Sequence, residues 1–397
     1  MIRKYCPDGV VYELLANICC IYDGTHTTPK YTESGVKFAS VENISNPYDS
    51  NKYISKEDFE KYKIKPQPND ILMTRIGSIG VCYVVENDEP LAYYVSLALL
   101  RPNSTVINSR YLKHAIESKQ GKRELRKRTL VNAVPIKINK DDIGKIRIPV
   151  PPLEVQSEIV RILDNFTELT AELTAELTAR KKQYEYYRDE LLTMTDKAPW
   201  VTLGDVCDLV TGATPSTSKR EYWDDGIIPW MSSGEVNLRQ VFNTENHITQ
   251  SGYDNSSTTL VPPHSVVIAL AGQGKTRGKV AVTEIELCTN QSLCSMICHN
   301  EINYKYLFYY LDSKYEQLRA ISNGDGTRGG LSLRILRPYQ IPLPSLKDQE
   351  RIVAILNNFD SICSDLSSGL PAEIEARQKQ YEYYRDKLLN FEEKQAS

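Results

Sequence analysis

The chain has 397 residues, of which 41% are hydrophobic and 25% are charged, and its formal net charge is −3. This composition is typical of folded globular protein and excludes a chain that is disordered throughout, and the length allows two or three domains. No apolar run reaches the roughly 18 residues that a membrane span requires, and the polar N-terminal segment lacks the apolar core of a signal peptide, so we expect a cytoplasmic protein.

Charge and cysteine usage narrow the possible ligands. Residues 1–152 carry 23 basic and 17 acidic side chains, whereas the rest of the chain is acidic overall. A polyanionic partner would therefore need locally placed Lys and Arg residues. The nine cysteines are scattered, which indicates reduced core residues and not a disulfide framework. Cys288, Cys294, Cys298 and His299 lack the paired spacing of a zinc site, so no metal site is predicted.

The first globular segment is predicted over residues 1–147. It opens with a Gly-Thr-Pro turn, GTHTTP at 24–29, which precedes a strand-like run, VKFAS at 36–40. A longer apolar stretch with an internal loop, DILMTRIGSIGVCYVV at 70–85, precedes a helix-like segment at 109–118. Strands separated by glycine-rich loops and joined by a helix predict an α/β or α+β domain.

A long helix is predicted in the next segment, residues 148–197. No Gly or Pro occurs from Leu153 to Lys197, and apolar residues recur at spacings of three and four. This seam contains Ile159, Ile162, Phe166, Leu169, Leu173, Leu177, Tyr184, Tyr187 and Leu191. It includes two consecutive Thr-Ala-Glu-Leu units, TAELTAEL at 170–177. About 40 helical residues at 1.5 Å each would make a rod of roughly 60 Å, which is suited to act as a spacer.

The second globular segment, residues 198–340, repeats features of the first. It contains TGATP at 211–215, IPWMS at 228–232 and the glycine-rich stretch SVVIALAGQGKTRGKVAV at 265–282. A helix-like segment at 303–313 corresponds to that at 109–118. The two segments are therefore predicted to be similar domains.

The final segment, residues 341–397, repeats the helical one. IPVPPLEVQSEIVRILDNF (148–166) matches IPLPSLKDQERIVAILNNF (341–359), and RKKQYEYYRDELL (180–192) matches RQKQYEYYRDKLL (377–389). The second seam contains Ile352, Ile355, Phe359, Tyr381, Tyr384 and Leu388. Proline cannot donate the helical hydrogen bond, so Gly369-Leu370-Pro371 should interrupt this helix. Ordinary amphipathic helices in a globular core are the alternative, but two near-identical copies favour helices that pack on each other.

This order of segments, with the IPVPPLEVQSEIV and IPLPSLKDQERIV helices, the TAEL units and the QYEYYRD phrase, resembles the DNA-specificity subunit of type I restriction-modification enzymes. The resemblance implies two target-recognition domains, each reading one half of a bipartite, asymmetric site in double-stranded DNA. It also implies two long antiparallel coiled-coil helices that set the spacer between the half-sites and dock two modification subunits, which carry the methyltransferase. Restriction subunits with motor and nuclease activity would join them. S-adenosylmethionine, ATP and Mg are then expected in the partner subunits and no cofactor in this chain.

Candidate DNA-contacting residues follow from the chemistry of groove and phosphate contacts, which uses forked or amide donors on loops together with Lys, Arg and hydroxyls. In the first domain these are Thr74, Arg75, Ser78, Lys122, Arg123, Arg126, Lys127 and Arg128. In the second domain they are Lys219, Arg220, Gln273, Lys275, Thr276, Arg277, Lys279, Thr327 and Arg328. Thr25, His26, Thr27 and Thr28 in GTHTTP form a weaker set. Solvated turns and helix faces remain the alternative at each position.

Residues for catalysis are not evident in the sequence. The Asn/Asp-Pro-Pro-aromatic loop and the glycine-rich cofactor loop of adenine methyltransferases are both missing, and Asn46-Pro47-Tyr48 lacks one proline. The glycine-rich stretch at 271–279 nearly imitates a phosphate-binding loop, but Ala269 stands where the first glycine is required. We therefore expect a chain that is not catalytic by itself. A coiled-coil adaptor that binds only protein, or a fused methyltransferase or nuclease, remains an alternative.

Overall fold

The computed structural model describes residues 6–272, 276–322, 330–364 and 369–394. Its contacts divide the chain into two compact units. Unit 1 combines Met1–Thr174 with Glu373–Ser397, and unit 2 is Ala175–Ala372. Each unit therefore contains a globular part and portions of both helical segments, whereas the segment boundaries predicted from the sequence remain a prediction.

The elements of unit 1 alternate short strands and helices. Its strands are β1 (Val11–Leu14), β2 (Cys19–Asp23), β3 (Val36–Ala39), β4 (Tyr53–Ile54), β5 (Ile71–Thr74), β6 (Cys82–Val84), β7 (Leu91–Tyr93), β8 (Leu97–Pro102) and β9 (Arg147–Val150). Its helices are α1 (Leu15–Ile18), α2 (Lys56–Glu60), α3 (Ser109–Glu117), α4 (Lys119–Arg128) and α5 (Lys140–Gly144). The long helix α6 (Leu153–Thr193) begins in unit 1 and continues into unit 2.

The elements of unit 2 follow the same plan. Its strands are β10 (Trp200–Thr202), β11 (Cys207–Thr211), β12 (Ile228–Met231), β13 (Gln240–Val241), β14 (Asn246–Ile248), β15 (Leu260–Val261), β16 (Val266–Ala269), β17 (Val280–Thr283), β18 (Leu287–Thr289), β19 (Leu293–Cys298) and β20 (Gln340–Pro342). Its helices are α7 (Leu203–Val206), α8 (Gln250–Asp254), α9 (Tyr304–Ser313), α10 (Tyr315–Ala320), α11 (Leu333–Leu336) and α12 (Leu346–Ser364). Helix α13 (Leu370–Leu388) begins in unit 2 and ends in unit 1.

Strand order is the same in the two units. The first sheet has the order β2-β8-β5-β6 in unit 1 and β11-β19-β16-β17 in unit 2, where β13 is added at the edge. The second sheet is built around one parallel pair in each unit, β3 with β7 and β12 with β18. A two-stranded ladder, β1 with β9 or β10 with β20, starts and closes each domain. The prediction of two similar mixed domains in an internal repeat is therefore confirmed.

Two apolar layers cover the first sheet of unit 1. Alternate side chains of a strand point to opposite faces, so Ile71 and Met73 of β5 pack toward α3 while Leu72 packs toward the second sheet. In unit 2, Val266 and Ile268 of β16 face the helix side in the same way. Because both faces are covered, these strands are continuous apolar runs and not alternating ones.

Helices α3 and α9 begin at equivalent capping residues. The side chain of Asn108 accepts hydrogen bonds from the backbone N–H groups of Arg110 (2.9 Å) and Tyr111 (3.1 Å). Asn303 does the same for Lys305 (2.9 Å) and Tyr306 (3.3 Å). Such a cap satisfies donors that the first helical turn leaves without a partner, which fixes where each helix starts.

The long helices occur where the sequence predicted them. Helix α6 is continuous over 41 residues, whereas the second helical segment is divided into α12 and α13. Pro371 lies in the first turn of α13, where its missing N–H would have no helical partner in any case. The proline thus marks a helix start, and the predicted interruption is found there.

The predicted seam is buried unevenly. In unit 1, Ile159 is buried and the rings of Phe166 and Tyr384 stack with centroids 5.4 Å apart. In unit 2, Ile352 is buried and Tyr187 stacks on Phe359 at 5.7 Å. The half-buried seam residues are Ile162, Phe166, Leu173, Leu177, Tyr184, Leu191, Ile355, Phe359, Tyr381 and Leu388, and the exposed ones are Leu169, Tyr187 and Tyr384.

One buried amide joins α6 to the domain of unit 1, and its repeat does so in unit 2. Gln156 accepts a hydrogen bond from the N–H of Asn108 at 2.8 Å and donates to the Pro151 carbonyl at 2.8 Å. Gln349 is its counterpart and makes the same contacts with Asn303 (2.7 Å) and Pro344 (2.9 Å). Neither glutamine stands out in the sequence, although both lie at equivalent positions of the matched helical segments.

Candidate nucleic-acid interface

The loop TRIGS, residues 74–78 of unit 1, directs most of its polar groups inward. Thr74 is fully buried, and its hydroxyl accepts a hydrogen bond from the Val81 N–H at 3.0 Å, which closes the turn between β5 and β6. Arg75 is only 8% exposed. Its guanidinium pairs with the Asp23 carboxylate and donates to the Ile138 carbonyl at 3.2 Å. Of the three predicted residues, the structure exposes only Ser78.

The basic residues of helix α4 fall into two groups, which differ in whether an acidic side chain pairs with them. Lys122, Arg123 and Arg126 are exposed and form no ion pair within the described residues. Lys127 and Arg128 instead pair with Glu124, at 2.6 and 2.8 Å. Burial tends to raise the pKa of Glu124, but these two cations outweigh it and hold the pKa below its ordinary value. The first three residues are therefore the ones available to a polyanion.

Several predicted residues of unit 2 are already engaged with protein atoms. The hydroxyl of Thr276 donates to the Ala271 carbonyl at 3.3 Å, and Lys279 donates to the amide oxygen of Asn237 at 2.7 Å. Arg277 is 9% exposed and thus as buried as Arg75. Further candidates of unit 2 lie outside the described residues. They are Gln273 and Lys275, close to Arg277 in the chain, and Thr327 and Arg328 further along it.

Lys219 and Arg220 are exposed near the start of unit 2's second sheet. The ammonium group of Lys219 donates to the Tyr222 hydroxyl at 2.7 Å and lies 4.7 Å from the centre of the same ring. This contact raises the pKa of Lys219 above its usual value. Arg220 borders a cleft of about 380 Å³ that Trp223 and Trp230 also line. Both residues remain candidates for contact with DNA.

A glycine turn follows the first strand of the main sheet in each unit. Gly24 follows β2, and a Cβ atom there would collide with the carbonyl of Tyr94. Gly212 follows β11 at the equivalent position, and a Cβ atom there would collide with the carbonyl of Thr289. Only glycine permits this close approach of two backbones, so the turns GTHTTP and TGATP are fixed by the same steric requirement.

Both turns border clefts. In unit 1 a cleft of about 680 Å³ separates the turn from the chain that follows α2. Its walls carry aromatic and aliphatic groups and its rim carries hydroxyls and cations, the latter being Lys30, Lys61, Lys63 and Lys140. In unit 2, Thr214 and Thr217 border the cleft described above. From the sequence, GTHTTP is a weaker candidate for DNA contact than the loops that contain arginine. The similar glycine turn in the second domain is the feature that could have made it a stronger candidate.

The described residues contain neither a metal-binding cluster nor a membrane-spanning helix. Among residues 6–272, 276–322, 330–364 and 369–394, no three His, Cys, Asp or Glu side chains are arranged to hold a metal ion. In the same described ranges, no helix combines the length and apolar character needed to cross a membrane. Cys288 of β18 and Cys294 of β19 are buried in apolar clusters.

Comparison with known proteins identifies the family. The family model described as "Type I restriction modification DNA specificity domain" matches residues 15–180 and again 197–376. The chain is similar to the specificity subunit of the EcoR124I/EcoR124II type I restriction enzyme of Escherichia coli, at 42% identity over 62% of this chain and 63% of that protein. The alignment thus spans somewhat less than two thirds of that relative's length. A putative type I restriction enzyme specificity subunit of Haemophilus influenzae is 34% identical over 72% of this chain and 73% of its own.

Solved structures show the same fold. A chain from a study of complex assembly in the type I restriction-modification system superposes with a TM-score of 0.62 at 18% identity, covering 97% of this chain and 98% of that one. The type I restriction-modification S subunit of M. genitalium superposes with a TM-score of 0.60 at 14% identity, covering 96% of each chain. The two family-model matches, which include most of the sequence, and the similarity to the Haemophilus influenzae protein show that the chain belongs to the type I restriction-modification DNA specificity family.

Proposed function

We propose that this chain is the sequence-reading subunit of a type I restriction-modification complex. Each domain reads one half of a bipartite, asymmetric site in double-stranded DNA, and the long helices set the spacer between the halves. The observation that carries the proposal is the duplication itself. Two domains with the same strand order are each joined to helices by equivalent buried glutamines, Gln156 and Gln349.

The duplication also fits the docking of two identical modification subunits. Phe166 and Phe359 occupy equivalent repeat positions, as do Tyr384 and Tyr187, and the two aromatic stacks have nearly the same geometry, with ring planes inclined by 21° and 27°. Equivalent surfaces allow two copies of one partner to bind a single chain in the same way. The helical segments are the proposed docking surface because they hold the most closely matched sequence of the two repeats.

The chemistry belongs to the partners in this proposal. Modification subunits would supply the methyltransferase and its S-adenosylmethionine, and restriction subunits would supply the ATP-driven motor and the Mg-dependent nuclease. The chain would contribute recognition and no catalytic group of its own. Its sequence supports this because it lacks the adenine methyltransferase loop.

The test is to produce the chain together with its modification subunits and to map methylated adenines in the host genome. We expect methylation at one asymmetric, two-part sequence with a fixed spacer. A complex that methylates without any sequence preference, or that binds no DNA in a gel-shift assay, would contradict the proposal and favour a protein-binding adaptor. Methyl transfer by the purified chain alone would instead favour a fused enzyme.

A further inference from the structure

We propose that the two glycine turns, Gly24–Lys30 in unit 1 and Gly212–Thr217 in unit 2, hold the sugar-phosphate backbone of DNA and do so independently of base sequence. This inference rests on the proposed function and assigns a separate task to one part of each domain. It also moves the predicted contact away from Arg75, which the structure buries.

The glycine turn occurs in both domains of the repeat. Two domains that read different half-sites must differ where they contact bases, whereas a feature common to both should perform a task common to both. The glycine turn is such a feature. It follows β2 or β11 directly, a neighbouring carbonyl excludes a side chain at its glycine, and Thr-Pro follows within the turn, at Thr28-Pro29 and Thr214-Pro215. Phosphate contact is the part of DNA binding that does not depend on sequence.

The turn of unit 1 offers hydrogen-bond donors to a ligand. In the described part of unit 1, the backbone N–H groups of His26, Thr27 and Thr28 donate to no protein acceptor, and the side chains of these three residues are exposed. Neighbouring backbone N–H groups together with small hydroxyls are a common means of holding phosphate oxygens. In unit 2, Thr214 and Thr217 are exposed at the equivalent turn; the Thr214 hydroxyl donates to the amide oxygen of Gln291, which leaves the Thr217 hydroxyl as the donor for a phosphate oxygen.

The cleft of unit 1 is lined by more cations than carboxylates. Its two carboxylates are already neutralised, since Asp23 pairs with Arg75 and Asp58 pairs with Lys61 at 2.6 Å. Three exposed lysines on the same rim, Lys30, Lys63 and Lys140, form no ion pair within the described residues. The rim therefore carries excess positive charge beside N–H groups that have no protein acceptor, which suits a phosphodiester chain.

Arg75 acquires a different role in this arrangement. It fixes Asp23, the residue immediately before Gly24, and it does so from inside the domain. Arg75 is thus a positioning residue for the turn. In unit 2, Arg220 lines the cleft beside the turn together with the carboxylate of Asp224, so the second turn should contribute less to phosphate binding than the first.

The experiment uses the assembled complex of this chain with its modification subunits. The variant Lys30→Gln/Lys63→Gln is compared with the matched control Lys56→Gln/Lys145→Gln, which removes the same charge at exposed lysines of unit 1 that do not line the cleft. Binding is measured by fluorescence anisotropy over a range of salt concentrations. One duplex carries the recognition sequence found by methylation mapping, and in the other duplex both half-sites are scrambled. The variant Arg220→Gln tests the second turn in the same way.

We expect the first variant to weaken binding to both duplexes by the same factor and to reduce the salt slope by about 0.9 for each lysine that contacts phosphate. The control should bind as the unmodified complex does. Unchanged affinity and slope in the lysine variant, loss confined to the specific duplex, or an equal loss in the control would overturn the inference. If the unmodified complex shows no preference between the duplexes, the proposed function fails, while the comparison on scrambled DNA still tests the turns.

Discussion

Gln156 accepts a hydrogen bond from the backbone N–H of Asn108 at 2.8 Å and is itself completely buried. This contact ties the start of α6 to the cap of α3, so the helix orientation and the domain fold depend on one another. Gln349 and Asn303 repeat the contact in unit 2 at 2.7 Å. Because the amide satisfies several buried backbone groups at once, its loss leaves those groups without partners.

We therefore expect Gln156→Leu to lower the free energy of unfolding of unit 1 by about 1 to 3 kcal/mol for each group left unsatisfied. Gln349→Leu should destabilise unit 2 to a similar extent. Urea unfolding followed by circular dichroism measures both effects. The control is Gln378→Leu, at an exposed position of α13. Equal stability of all three variants would show that the buried amides are not needed.

Asp164 gives unit 1 a pH dependence that unit 2 lacks at the same position. Its carboxylate bonds to Nε2 of His114 at 3.1 Å and to Arg110 at 2.9 Å. Burial tends to raise the pKa of Asp164, but these partners hold that pKa below its ordinary value. The equivalent residue in unit 2 is the amide Asn357, which accepts a hydrogen bond from the Tyr309 hydroxyl at 2.8 Å.

A carboxyl with a lowered pKa in the folded state stabilises the fold above its unfolded pKa, and this contribution is lost as the pH falls through the folded pKa. We expect unit 1 to lose stability as the pH is lowered from about 5 to 3, and Asp164→Asn to flatten this part of the profile. Thermal unfolding of both proteins at several pH values measures this loss of stability. A profile that is the same in Asp164→Asn and in the unmodified chain would rule out this carboxylate as the source.

Arg75 is expected to matter for stability more than an exposed cation of the same domain. Arg75→Met leaves Asp23 without its buried partner and should lower the free energy of unfolding by on the order of 2 kcal/mol, less than for a fully buried pair because Asp23 keeps some contact with water. Lys127→Met, which breaks a surface pair with Glu124, should cost less than about 1 kcal/mol. Chemical unfolding of the two variants gives the comparison. If Arg75→Met folds normally and relaxes recognition at one base pair, Arg75 reads DNA directly, as the sequence suggested.

The TAEL units provide a test of the spacer proposal. One more unit after Leu177 lengthens α6 by about 6 Å, compared with roughly 3.4 Å per base-pair step. We expect the spacer between methylated half-sites to increase by between one and two base pairs, while both half-sites remain unchanged. Removing one unit should shorten the spacer and serves as the matched control. Methylome mapping of cells that express each version reads the result, and an unchanged spacer in both would defeat the idea of a helical ruler.

The local regularities of this protein were accessible from its sequence. Helix α6 follows from a seam of apolar residues over a stretch without Gly or Pro, and the start of α13 follows from Pro371. The repeat predicted two similar domains, and the equivalent strand orders confirm it. These features depend on neighbours in the chain or on direct comparison of its two halves, so no knowledge of distant contacts was needed.

The placement of individual polar side chains required the tertiary structure. Arg75 and Arg277 stand in polar, glycine-rich loops that predicted exposure, yet both are buried. Arg75 is drawn inward by Asp23, which precedes it by 52 residues and meets it only because β2 and β5 both pair with β8. The sequence alone thus determined the helices, the duplication and the family, whereas the tertiary structure decided which cations reach solvent, because burial depends on charge partners brought together by strand pairing over long distances in the chain.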